Sequence, residues 1–134
     1  MIQTKFHFDK LQKFDVLVCE SEFVVFKHYI IYLDNNLFIH NTPQSGVSYE
    51  SKSEVLKRKI VKVIRPVLTT EQRSKAEERI IQTVGFYYDA IDFNCEHFTN
   101  FILFGKRTSK QAIETITNII ALFMAAKMTF KNGN

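Results

Sequence analysis

Residues 92–107, DFNCEHFTNFILFGKR, decide how this chain folds. From Cys95, the apolar residues Phe98, Phe101 and Ile102 recur at steps of three and four, which is one face of a helix. Gly105 sits where a glycine closes a helix. The pattern predicts a helix that starts at Asn94 or Cys95, with the sulfur in its first turn on the core side. A free cysteine there has two fates. It is a buried apolar filler, or it is a nucleophile whose pKa, near 8.5 when free, falls by several units through the positive helix N-terminus and a nearby imidazolium. The second fate needs a base.

Working outward, the period is helical after Thr69 and two-fold before it. Thr69 with Gln72 has the spacing of a capping box. Ala76, Ile80, Ile81 and Val84 then form an apolar face that Gly85 ends. Upstream, residues 14–18, 22–33, 37–41 and 58–67 are rich in Val, Ile, Phe and Tyr and read as strands. The class is α+β, an antiparallel sheet packed on the Cys95 helix.

Four histidines are candidate bases. His97 lies about 200° around the helix from Cys95 and cannot reach its sulfur, and His7 lies near the start of the chain. His28 and His40 stand on the two strands of the predicted hairpin. A three-residue loop at 34–36 sets Ile30 opposite His40 and leaves His28 a diagonal neighbour of His40, roughly 7 to 8 Å away on the same face. A two-residue turn at Asn35-Asn36 sends the rings to opposite faces. The catalytic reading therefore requires the odd-length turn or a bulge.

Composition narrows the setting. With 134 residues, 46% of them hydrophobic, and 13 Phe, the chain can bury a real core. Two cysteines make no disulfide framework and the first residues carry no signal-like apolar run, so the expected location is cytoplasmic and reducing. A net charge of +4, scattered rather than striped, does not predict a nucleic-acid partner. Cys19 reads as packing. Cys95 with two histidines lacks a fourth zinc ligand, because Glu96 points away along the helix, so neither metal nor cofactor is expected. In 111–130 only 119–126 is free of polar interruption, short of the ~20 residues a spanning helix needs. Residues 1–110 are read as the functional domain. Residues 111–134 are read as an amphipathic helix and tail whose Ile113, Ile116, Ile120, Phe123 and Met124 face the domain or a bilayer surface, with Lys127 and Lys131 near headgroups. The oligomeric state is left open.

His28, Tyr32, His40 and the run Asn94-Cys95-Glu96-His97-Phe98 together resemble the lecithin retinol acyltransferase family, which includes small phospholipase A/acyltransferases. The likeness covers about residues 14–110. It implies a circularly permuted papain-like fold of the NlpC type and a thiol-dependent acyltransferase or hydrolase acting on lipid acyl esters, with a peripheral membrane surface as a further partner. Cys95 is implied as nucleophile, His28 as base and His40 as its orienter, with Tyr32 and Asn94 in oxyanion or positioning roles. Amide or peptide hydrolysis by the same triad, or a non-catalytic interaction module that keeps the box, are the alternatives. Phe14-Asp15 stands where the family commonly has Gly-Asp, and residues 34–36 stand where it has a Gly-rich turn.

Overall fold

The structure is a computed structural model that describes residues 7–21, 27–90 and 93–132; within 110–132 the side chains of 111, 112, 114–116, 119 and 128–132 are not described. Five strands, β1 Val16–Glu20, β2 Lys27–Asp34, β3 Leu37–Thr42, β4 Gly46–Ser51 and β5 Ile60–Ile64, form one antiparallel sheet in the order β4-β3-β2-β1-β5. The helices are α1 Lys52–Val55, α2 Thr70–Thr83, α3 Cys95–Phe104 and α4 Lys110–Asn132. The expected α+β class, with a Cys-bearing helix on an antiparallel sheet, is what the chain adopts. The first part of the predicted strand, residues 22–26, lies outside the described residues.

Side chains alternate along each strand, so the sheet has two apolar faces. Val16, Ile31, Ile39 and Val47 face the helices and pack with Ala76 and Ile80 of α2 and Phe98, Ile102 and Leu103 of α3. Leu17, Cys19, Ile30 and Phe38 face the other way, against Val55 of α1 and the part-buried Phe8 and Leu11. Both helix starts are capped, α2 as its sequence indicates. Thr69 with Gln72 and Asn94 with His97 form reciprocal capping boxes, and Gly105 ends α3 at φ 71°. On α2 the buried stripe is Ala76, Ile80 and Thr83, while Ile81 is 77% exposed and not part of the predicted face. β4 and α1 have no counterpart in the sequence reading. Their residues 46–55 mix Ser, Glu and Lys with few apolar residues, so no two-fold apolar signal marks an edge strand with one wet face.

The β2–β3 turn settles the histidine register. Asn35 and Asn36 have φ of 53° and 60°, the two left-handed residues of a type I′ turn. That is the two-residue loop, which alone separates the rings. A bulge compensates for it: pairing steps from Tyr32↔Phe38 to Asp34↔Leu37, so Leu33 is an extra residue and Ile30 faces His40.

Candidate functional site

Pairing between β2 and β3 begins at Ile30↔His40, so the two strands part before Lys27–Tyr29 is reached. The start of α3 fills this split. From β3, the buried Asn41 donates through Nδ2 to the carbonyls of Phe93 at 2.8 Å and Asn94 at 3.4 Å. From β2, the Cys95 thiol donates to the Lys27 carbonyl at 3.5 Å, and the Tyr29 N–H is directed at the same sulfur. Backbone N–H and C=O groups lie in the plane of a sheet. A sulfur held by two of them therefore sits in that plane, on the residues that flank His28 on either side.

The Asn-Cys-Glu-His-Phe run is the lock that seats this turn. Asn94 Oδ1 accepts the N–H groups of Glu96 and His97, at 2.9 and 3.0 Å, while its Nδ2 donates to the Ala90 carbonyl and to Ser109 Oγ. His97 Nδ1 accepts the Asn94 N–H at 3.1 Å. Glu96, buried, accepts the Lys110 N–H at the start of α4 and bonds the Tyr29 hydroxyl. Phe98 enters the core edge-on to Phe93. Asn94 thus positions the turn, with both ends of its amide engaged.

His28 and His40 are brought together. His28 Nε2 lies 2.9 Å from His40 Nδ1, both rings buried. Beyond them is a pair that the sequence reading missed. Glu50 Oε2 is 3.2 Å from the same His40 Nδ1, and Arg58 grips the Glu50 carboxylate through Nε and Nη2 at 3.0 to 3.2 Å. Glu50 lies on β4, and without that strand no spacing rule connects it to His40. Glu50, Arg58 and His40 border an open polar cleft of about 460 Å³, shared with Thr42, Ser48 and Ser51.

Two candidate residues stand differently. Tyr32 follows His28 by four residues, roughly 13 Å along the strand, and its ring packs on Phe38 at 5.1 Å. Cys19 is the register partner of His28, fully buried, with its thiol pushed up to about 12 by burial. It packs, as expected. Among the described residues no hydrogen bond joins the Cys95 sulfur to either histidine, and no group of three or more His, Cys, Asp or Glu side chains is placed to hold a metal ion.

The charge state corrects one expectation. Burial pushes the Cys95 thiol up to about 11; the Tyr29 N–H opposes that rise and the Glu96 carboxylate adds to it. This direction is opposite to the predicted fall: desolvation outweighs the helix end, although the backbone N–H groups of Cys95 and Glu96 there act with that of Tyr29 to lower the pKa. Burial likewise pushes His28 down to about 3, with His40 and Arg58 acting in the same direction. His40 is lowered by burial, against the pull of Glu50 and with the push of Arg58. Burial thus favours the uncharged form of the Cys95 thiol and of both imidazoles.

In α4, the side chains of Ile113, Ile120, Leu122, Phe123 and Met124 are each more than half exposed. None of the close packings between elements among the described residues includes this helix, and none of the helices there is long and apolar enough to cross a membrane. The expected roles of Ile116 and Lys131 lie outside the described side chains. A scan against protein-family models finds no match, and a search of curated proteins finds no significant similarity.

Proposed function

We propose that the chain is a cysteine-dependent acyltransferase or hydrolase in which Cys95 takes the acyl group of a lipid ester. The observation that carries this reading is the buried His28–His40 pair at 2.9 Å beside a helix-start cysteine bonded to the backbone on both sides of His28. The sulfur attacks the ester carbonyl as the thiol proton passes to His28. The Cys95 backbone N–H, in the first turn, is the donor for the developing oxyanion. Collapse breaks the C–O bond, the leaving alcohol takes the proton from His28, and the acyl-thioester passes to water or an acceptor. His40 orients His28 and Asn94 positions the turn. Tyr32 takes a packing role.

The permuted papain-like arrangement of NlpC type belongs to the same proposal, supported by the His-bearing strands that precede the Cys-bearing helix on one antiparallel sheet. Backbone geometry adds support. Phe14, Asn35 and Asn36, at or in the places where the resemblance has glycine, have φ of 73°, 53° and 60°, the left-handed region that glycine enters without strain. The exposed face of α4 that bears Ile113, Ile120, Phe123 and Met124 suits a lipid surface as second partner.

The test is intact-protein mass after exposure to an activated ester, with release of fatty acid from phospholipid vesicles measured alongside. Wild type is expected to gain one acyl group at Cys95 and to turn over lipid, and Cys95→Ala to do neither. Labelling without lipid turnover moves the substrate to amides. The buried Cys95 thiol, which donates to the Lys27 carbonyl rather than to an imidazole, favours a second reading, a non-catalytic interaction module; absence of labelling decides for it.

A further inference from the structure

Glu50 and Arg58 lie behind His40, and the proposed chemistry as described does not use them. The position of Glu50, at the same His40 nitrogen that meets His28, bears on where the pair carries its protons. His28 commits Nε2 to His40, which leaves Nδ1 as the nitrogen for the thiol proton. To accept there, His28 must carry its own proton on Nε2 and donate it to a bare His40 Nδ1. In that state Glu50 Oε2, 3.2 Å away, faces a lone pair. Once the thiol proton arrives the mismatch disappears.

We propose that Glu50, held by Arg58, is a positioning residue that stabilises the charge-separated state of the site through His40. This rests on the reading of Cys95 and His28 as nucleophile and base. The S–H bond of Cys95 breaks and an N–H bond forms at His28 Nδ1. The Nε2–H bond of His28 breaks and an N–H bond forms at His40 Nδ1, where Glu50 accepts it. The sulfur then carries the negative charge, and the positive charge rests on His40 beside the carboxylate. The contact is complementary to the reacting state rather than the resting one. Arg58 sets the strength of the effect: its two-nitrogen grip fixes the carboxylate, and its own charge partly offsets that of Glu50.

The charged and titratable groups that bear on the path are few. His40 is faced by His28 from β2, Glu50 from β4 and Arg58 from the segment before β5. Cys95 is faced by Tyr29 from β2, by Glu96 from its own helix and by Tyr88 and Cys19 at longer range.

The test is the pH profile of Cys95 alkylation by iodoacetamide in the full chain, with folding followed by circular dichroism. Glu50→Gln keeps the shape and removes the charge. Its profile is expected to move up by about one pH unit, which slows alkylation about tenfold on the rising limb, whereas Glu50→Asp restores part of the shift. A folded Glu50→Gln with the wild-type profile overturns the inference; should Glu50→Gln not fold, an unchanged profile in Glu50→Asp does so. His28→Ala separates the two levels. If it leaves the profile unchanged, the base assignment itself fails; if it moves the profile and Glu50→Gln does not, only the role of Glu50 fails.

Discussion

α3 and α4 are both amphipathic helices, and they end in opposite environments. In α3 seven of ten residues are buried, among them Cys95, Glu96 and His97. In α4 the large apolar side chains that are described stand in solvent. Apolar periodicity does not separate the two. What separates them is polar: α3 carries Asn94, Glu96 and His97, each bonded to a specific atom, and receives Asn41 and Tyr29 from the sheet. Buried polar groups tolerate one arrangement, because each lost partner costs about 1 to 3 kcal/mol. An apolar stripe alone accepts any apolar surface.

The sharpest break of this comparison is a matched pair of truncations. Phe98→Ala should cost about 3 to 5 kcal/mol in urea unfolding, as a fully buried ring is lost from the core. Phe123→Ala, whose residue is 70% exposed, should stay within about 0.5 kcal/mol. Equal costs would mean that α4 docks on the domain in solution.

Acid should distinguish the two regions next. The folded pKa of His28 lies near 3, against 6.5 unperturbed, so below pH 6.5 the unfolded chain binds this proton first. The stability it contributes is complete above 6.5 and is lost as pH falls toward 3, about 5 kcal/mol in all and on the order of 3 kcal/mol of it by pH 4. Urea midpoints measured from pH 7 to pH 4 should drop less in His28→Gln than in wild type. Parallel loss in both proteins removes His28 as the cause.

Smaller effects sharpen the polar side. Asn94→Ala strips the cap from two N–H groups of α3 and should cost about 1 to 2 kcal/mol; a negligible change in the thermal midpoint would show that apolar packing alone seats the helix. Smallest of all should be the loss of α4. A chain ending after Lys110 keeps the N–H that Glu96 accepts, and its unfolding free energy should match that of the full chain to within about 0.5 kcal/mol. Its sedimentation with anionic vesicles should fall. Unfolding of the shortened chain sinks the comparison.

The local features were legible before the fold was. The Thr69–Gln72 capping box, the Gly105 stop, the core side of Cys95 and the placement of His28 and His40 on neighbouring strands depend on residues within about four positions of one another, or on a two-fold pattern, and those signals act through the backbone nearby. The turn was half legible: Asn35-Asn36 announces the left-handed pair. The bulge at Leu33 that rescues the histidine register carries no mark of its own, because it is set by which face of each strand finds a core.

Tertiary structure alone decided the rest. Glu50 meets His40 only because β4 pairs with β3, and Arg58 meets Glu50 only because the chain turns back through α1. Asn41 reads as one polar residue at a strand end until the start of α3 arrives beneath it. The protonation of Cys95 follows the same logic. A helix N-terminus is visible in sequence, whereas the depth at which it is buried is a property of the assembled sheet and helices, and burial is the larger influence on the thiol.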